Sequence, residues 1–136
     1  MPFMVWNDRI IVGIGAIDAD HKQMIGMINE LYDAIQGGSG HEKLDILFDR
    51  LLDYACRHFA IEEELFARTD YPGAAAHIRA HHEMTAWLKT ARDQNCNRSM
   101  PAPLLNTMNQ LKDYLFDHIL DADQQYVPHM KAHNIH

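Results

Sequence analysis

Four stretches of this chain repeat apolar residues at alternating intervals of three and four positions, which is the spacing of helices packed side by side in a bundle. Because the turns between the first three stretches are short, neighbouring helices are expected to run antiparallel. We therefore predict one all-α domain over residues 1–136, an antiparallel up-down-up-down four-helix bundle. The predicted helices cover residues 18–36, 41–69, 73–94 and 103–121, followed by a tail or short helix over 123–133.

The segments outside the four helices are read from their turn signals. Ser39, followed three residues later by Glu42, predicts a capping box at the start of the second helix. Residues 95–103 are polar and contain prolines, so they predict a connection that cannot continue the third helix. Residues 1–17 lack the helical pattern and contain Trp6 with a short apolar run, so we predict an extended arm packed over the bundle.

Five histidines and one glutamate occupy positions that the apolar pattern assigns to the core. His58 and Glu62 are four apart on one predicted helix, and so project from one face. His77 and His81 have the same spacing on the next helix, so each pair could bind one metal centre. Burying these groups without a metal would cost about 1–3 kcal/mol for each polar group left unpaired. The pattern therefore predicts a metal site built from His21, His58, Glu62, His77, His81 and His118.

A further ligand is expected from the end of the fourth helix, where the spacing leaves a choice. In regular helical phase the next inward position after His118 is Ala122, which has no ligand atom. Asp121 falls one residue short of that position and Asp123 one residue beyond it. A one-residue π-bulge would bring Asp123 inward, so spacing permits this residue without selecting it.

Charge and composition exclude several classes of function. A net charge of −7 argues against nucleic acid as a partner, because phosphate binding needs clustered Lys and Arg. The apolar runs are too short for membrane insertion and the N-terminus lacks a secretory pattern, so a cytoplasmic protein is expected. Cys56 and Cys96 are expected to stay free. The histidines outside the core pattern are expected to be solvated or at the surface, namely His41, His82, His129, His133 and His136.

The sequence lacks the patterns of two other kinds of metal site. Carboxylate-rich di-iron oxidases carry Glu-x-x-His on two bundle helices, and no Glu in this sequence is followed by His three residues later. The zinc-protease pattern H-E-x-x-H is also absent. A structural zinc bound only by nitrogen and sulfur is disfavoured by the carboxylate and by the excess of ligands. Iron is therefore the favoured metal.

The motifs together resemble those of the bacteriohemerythrins, the single-domain prokaryotic type of the hemerythrin family. The resemblance covers nearly the whole chain, and its combined motif is highly specific. One departure is Asp20, where the family usually has Gln, and this residue is expected to add charge near His21. The matching elements, in the family's order, are Trp6, Ile17-Asp18-Ala19-Asp20-His21-Lys22, His58-Phe59-x-x-Glu62-Glu63, His77-x-x-x-His81 and His118-Ile119-x-x-x-Asp123-x-x-Tyr126.

The resemblance implies a non-haem site with two iron ions. It assigns three histidines to one iron and two to the other, with two carboxylates and a solvent-derived oxo or hydroxo group as bridges. Counted against two octahedral ions, this set leaves one open position on the iron that has two histidines. The implied ligands are His77, His81 and His118 for the first iron, His21 and His58 for the second, and Glu62 and Asp123 as bridges.

The resemblance also implies reversible binding of dioxygen as the ligand of these irons, for transport, storage or local supply, and no enzymatic activity. Side chains within one turn of the site, Ile25, Phe59 and Leu115, are candidates for the wall of an apolar oxygen pocket. Two alternatives remain open. One is oxygen or redox sensing that a signalling protein partner reads, whereas oxygen supply would serve an oxygen-consuming partner. The other is turnover of peroxide or nitric oxide at the same irons.

Overall fold

The computed structural model describes residues 2–96 and 105–136, and it confirms the predicted all-α four-helix bundle. The first two residues of the predicted fourth helix, and most of the polar connection before it, lie outside these ranges. The fourth helical run does not end at residue 121, because it passes through a π-helical segment, His118–Asp123, into a further helix. The α-helices are α1 Gly15–Gln36, α2 His41–Thr69, α3 Ala74–Cys96, α4 Leu105–Asp117 and α5 Gln124–Ala132.

The N-terminal arm lies on the bundle as predicted, with one 3-10 turn at Asp8–Ile10. Asn29 of α1 holds it in place: the Met4 N–H donates to Asn29 Oδ1 at 2.7 Å, and Asn29 Nδ2 donates to the Met4 carbonyl at 2.9 Å. The ring of Phe3 stacks on Tyr32 with centroids 4.2 Å apart. The arm therefore covers part of α1 through both hydrogen bonds and apolar contact.

Helix α1 begins three residues earlier than the predicted start at Asp18. Instead of opening the helix, Asp18 lies in its first turn and accepts hydrogen bonds from the N–H groups of Val12 and Gly13, at 2.9 and 3.1 Å. Gly13 has a φ of +84°, a conformation that favours glycine. The chain thus turns back on its own helix, and the Asp18 carboxylate holds that turn.

The predicted capping box at the start of α2 is wrong. Gly40 occupies the N-cap and no side chain caps the helix. The end of α3 supplies the polar contacts: His41 Nδ1 lies 2.6 Å from the Asn95 carbonyl, and Asn95 Nδ2 donates to Asp45 Oδ1 at 2.6 Å. His41 is therefore half-buried rather than solvated. A tertiary contact replaced the local cap that the sequence suggested.

The apolar stripes of the four helices meet in one core, with a polar cluster at the end where α1 begins and α2 ends. Some stripe positions lie at the edge of this core: Tyr32 and Leu65 are only half-buried, while the neighbouring Leu31 and Phe66 are fully buried. Among the described residues, no helix is both long and apolar enough to cross a membrane. The buried residues of this core include Met24, Ile28, Ala55, Phe59, Met84 and Leu115.

Candidate metal centre

Seven ligand-bearing side chains meet in the polar cluster, and all are buried. Each of the five imidazoles directs its Nε2 towards the centre of the cluster, and the Nε2 atoms of His21 and His58 lie 3.1 Å apart. The cluster draws on every helix of the bundle: His21 comes from α1, His58 and Glu62 from α2, His77 and His81 from α3, and His118 and Asp123 from the π-helical segment.

The two carboxylates each contact histidines of both predicted groups. Glu62 Oε1 lies 3.2 Å from His58 Nε2 and 3.2 Å from His81 Nε2. The buried Tyr126 hydroxyl donates to the other oxygen, Glu62 Oε2, at 2.6 Å. Glu62 Oε1 therefore faces the cluster, while Glu62 Oε2 is held by the Tyr126 hydroxyl.

Asp123 stands opposite Glu62 and uses both of its oxygens. Its Oδ1 lies 3.0 Å from His77 Nε2 and 3.1 Å from His118 Nε2, whereas its Oδ2 lies 3.2 Å from His21 Nε2. The carboxylate thus spans the space between the group of three histidines and the group of two. This is the arrangement expected of a bridging ligand.

The π-helical segment determines which aspartate reaches the cluster. The Gln124 N–H bonds to the Ile119 carbonyl, five residues earlier, so this turn holds one residue more than an α-helical turn. As a result Asp123 is fully buried and Asp121 is exposed. The π-bulge that the sequence permitted is present.

The inward-facing atoms have the character of an incomplete coordination shell. Their mutual distances are short, yet among the described residues they make no hydrogen bonds, and no Lys or Arg side chain is buried to balance the two carboxylates. Burying such groups without a partner is costly, and a bound cation would accept their lone pairs. The donors therefore fit a non-haem metal ion. The atoms concerned are Glu62 Oε1, the Nε2 atoms of His77, His81 and His118, and both oxygens of Asp123.

Two carboxylates outside the cluster each contact the outer nitrogen, Nδ1, of one of its histidines. Glu63 Oε2 lies 2.9 Å from His81 Nδ1, so Glu63 is not the freely solvated residue that its place in an acidic run suggests. Asp20 Oδ2 lies 2.9 Å from His58 Nδ1, so Asp20 acts on His58 rather than on the adjacent His21. Sequence spacing carried no signal for either contact, because the partners come from different helices.

Contacts within the cluster favour the charged forms of both a histidine, His58, and a carboxylate, Glu62. Burial by itself would lower the pKa of His58, but its contacts with Glu62 and Asp20 raise the pKa to about 9. Burial and the nearby charge of Asp123 would raise the pKa of Glu62, but its contacts with His58 and His81 lower it to about 2. A metal ion would therefore compete with a proton for the His58 imidazole.

An apolar cavity of about 20 Å³ lies in the core, and none of the seven cluster residues lines it. Phe59 and Leu115 line it, and the Phe59 ring stacks on His81 with centroids 4.0 Å apart. Ile25 is buried but is not among the lining residues. Two of the three side chains predicted for a pocket wall thus share one cavity, whose other lining residues are Met24, Ile28, Leu51, Ala55, Met84, Leu88 and Leu111.

The remaining histidines and Cys56 lie away from the cluster. His82, His133 and His136 are exposed as expected, and so is Cys56, which is free. His129 differs from the prediction of a surface residue, because it is half-buried on α5 and its Nε2 donates to the Thr69 carbonyl at 2.8 Å. It ties the end of the chain to the end of α2.

Replacing Tyr126 by Phe is expected to destabilise the protein by about 1.5–3 kcal/mol, because a buried hydrogen bond to a charged group is lost. The metal affinity should fall about tenfold, since Glu62 would lose the contact that orients it. Urea unfolding and metal titration measure the two effects. Tyr32→Phe is the matched control, because its hydroxyl accepts a hydrogen bond from the exposed Gln36 side chain and lies away from the cluster. Equal effects in both variants would contradict the role given to Tyr126.

The fold and the site together define a four-helix-bundle protein with a buried cluster of histidines and carboxylates that fits a non-haem metal ion. Residues 12–130 match the family model described as the hemerythrin HHE cation binding domain. The chain belongs to the hemerythrin family.

Similar proteins cover nearly the full chain. It is 35% identical over 133 residues to a bacteriohemerythrin of Stenotrophomonas maltophilia, covering 98% of this chain and 85% of that protein. It is 32% identical over 128 residues to one of Pseudomonas aeruginosa, covering 93% and 81%. The crystal structure of a wild-type hemerythrin superposes with a TM-score of 0.82 at 25% identity, covering 93% of this chain and 96% of the other.

Proposed function

We propose that this chain holds two iron ions and binds dioxygen reversibly. The observation that carries the proposal is the pair of buried carboxylates, each of which contacts histidines of both groups. In this proposal His77, His81 and His118 hold one iron, His21 and His58 hold the other, and Glu62 and Asp123 bridge them. A solvent-derived oxo or hydroxo group is the proposed third bridge.

The number and type of ligands favour two irons over a single zinc ion. A structural zinc is satisfied by about four ligands, mostly sulfur and nitrogen. This cluster offers seven side chains, two of them carboxylates that can each serve two ions. Imidazole with carboxylate is a ligand combination that suits non-haem iron.

The chain's contribution to oxygen binding is to hold the irons and to keep water away from them. A pair of irons would supply two electrons to dioxygen and recover them on its release. The cavity beside Phe59 and Leu115 has only apolar side chains around it and about the volume of one small molecule. An apolar molecule would enter such a space more readily than water or an anion, and exclusion of both favours reversible binding.

The physiological use that we propose is oxygen transport, storage or local supply in the cytoplasm. The test is anaerobic reduction of the iron-loaded protein, followed by repeated addition and removal of oxygen, with visible absorption recorded throughout. We expect about two irons per chain and a spectrum that returns in each cycle. Zinc-loaded protein is the control and should not respond to oxygen.

Other outcomes of the same experiment would contradict the proposal. One metal per chain, or a preference for zinc, would reject the two-iron site. Steady consumption of oxygen or peroxide, with no recovery of the starting spectrum, would replace oxygen carriage by enzymatic turnover.

A further inference from the structure

Asp20 forms a two-sided contact on the outer face of the cluster. Its Oδ2 lies 2.9 Å from the Nδ1 of the buried His58, and its Oδ1 accepts a hydrogen bond from the Tyr54 hydroxyl at 2.7 Å. The side chain of Asp20 is 19% exposed, whereas that of His58 is 1% exposed. The carboxylate therefore sits at the boundary between solvent and the buried imidazole.

The two hydrogen bonds give this contact a defined direction. Tyr54 occupies one oxygen and fixes the rotation of the carboxylate, so the other oxygen is held in place to accept the His58 Nδ1–H. A histidine that donates from Nδ1 keeps its Nε2 lone pair available for a metal. Asp20 and Tyr54 thus select the orientation and tautomer in which His58 can be a ligand.

The contact also distinguishes His58 from its neighbour His21. Both direct Nε2 into the cluster, but the outer nitrogen of His21 is buried and has no hydrogen-bond partner within residues 2–96 and 105–136. In the group of three histidines, Glu63 plays the corresponding role for His81 at 2.9 Å. In the part of the chain that the structure describes, each group thus has one imidazole whose outer nitrogen contacts a carboxylate, and in the group of two it is His58.

We propose that Asp20 is a positioning residue that strengthens His58 as an electron donor and thereby lowers the reduction potential of the metal that His21 and His58 hold. An imidazole whose N–H donates to a carboxylate is a stronger ligand, and a stronger anionic environment stabilises the ferric state over the ferrous state. The inference rests on the proposed two-iron site. It predicts that this chain's own Asp20, rather than the ligands alone, sets how readily the site is oxidised.

The test compares Asp20→Asn, Asp20→Glu and Asp53→Asn in iron-loaded protein. Asp20→Asn keeps the shape of the side chain but removes the charge, and Asp20→Glu keeps the carboxylate. Asp53→Asn removes a similar charge from α2, but Asp53 is 63% exposed and contacts Arg57 instead of the cluster. Iron content and circular dichroism establish that each variant is loaded and folded before its midpoint potential is measured by spectroelectrochemistry.

We expect Asp20→Asn to shift the oxidation equilibrium about tenfold towards the ferrous state, which corresponds to about 59 mV for one electron. Asp20→Glu should restore most of the difference, and Asp53→Asn should match the wild type. An unchanged potential in fully loaded Asp20→Asn, or an equal shift in Asp53→Asn, would overturn the proposal.

A second measurement separates this inference from the proposed function. Co(II) is added to the metal-free protein and its binding is followed by visible absorption. Asp20→Asn should bind Co(II) about tenfold more weakly, and Asp53→Asn should bind it as the wild type does. If the protein fails to load two irons but Asp20→Asn still weakens Co(II), the proposed function fails while the role of Asp20 stands. Equal Co(II) affinity in Asp20→Asn and wild type would reject that role whatever the iron content.

Discussion

Replacing Asp123 by Ala is expected to remove most of the iron from the purified protein, with at least about a tenfold loss of metal affinity. The reason is that one carboxylate contacts both groups of histidines, through Oδ1 to His77 and His118 and through Oδ2 to His21. Its loss would separate the two halves of the site. The melting temperature of the iron-loaded protein should fall towards that of the metal-free protein, because bound metal stabilises only the folded state.

Asp121→Ala is the matched control, because Asp121 lies two residues away in the same π-helical segment and is exposed. It should keep the wild-type iron content and melting temperature. Asp123→Asn preserves the volume of the side chain and should give an intermediate iron content. Metal analysis and thermal unfolding of the variants measure both effects. Loss of iron in Asp121→Ala with full loading of Asp123→Ala would show that the wrong aspartate has been assigned.

The second large effect is a steep dependence of metal affinity on pH. In the metal-free protein, contacts with Glu62 and Asp20 raise the pKa of His58 to about 9, against the effect of burial. Asp123 likewise outweighs burial and raises the pKa of His118. A metal ion must displace these protons, because a protonated imidazole nitrogen cannot be a ligand. We expect the affinity to rise about tenfold for each pH unit between 7 and 9 if one proton is displaced, and iron to be lost on acidification.

The stability of the metal-free protein should follow the opposite trend over the same range. The raised pKa of His58 gives a stabilisation that is complete below about pH 6.5 and is lost as the pH rises through about 9. The lowered pKa of Glu62 gives a stabilisation that is present above about pH 4.5 and is lost as the pH falls through about 2. The metal-free protein should therefore be most stable between about pH 4.5 and pH 6.5, where both stabilisations are complete.

Thermal unfolding of metal-free and metal-loaded protein at a series of pH values tests this pair of trends. The difference between their melting temperatures should widen from pH 6.5 to pH 9, since one form loses stability while the other binds metal more tightly. His82→Ala serves as the control, because His82 is exposed and lies outside the cluster. At each pH this variant should show the same difference in melting temperature as the wild type. A difference that narrows towards pH 9 would contradict the assignment of buried, protonated histidines to the metal-free site.

Much of the site could be predicted from the sequence because its residues share the periodicity of the helices. His58 and Glu62, or His77 and His81, are four apart and must lie on one face of their helix. The surrounding apolar spacing indicates that this face is buried. The choice between Asp121 and Asp123 was different, since spacing left it open and only the family resemblance favoured Asp123.

The capping box shows why local signals failed elsewhere. Ser39 and Glu42 form a pattern that stabilises a helix start in isolation, but the chain begins α2 at His41 and uses Asn95 from the end of α3 instead. In the same way, Glu63 belongs to a run of acidic residues that looks solvated, yet it contacts His81 from another helix. A local pattern does not reveal which residue of a distant segment will stand beside it.

The sequence by itself determined the helical class, the inward faces and the identity of the histidines on them, because those depend on periodicity within single segments. Only the tertiary structure decided that the π-helical turn forms. It also decided that Asp20 contacts the outer nitrogen of His58 and that the Tyr126 hydroxyl donates to Glu62. These contacts depend on the rotation and axial offset of one helix against another. The π turn also departs from regular helical hydrogen bonding, so periodicity within one segment could not establish it.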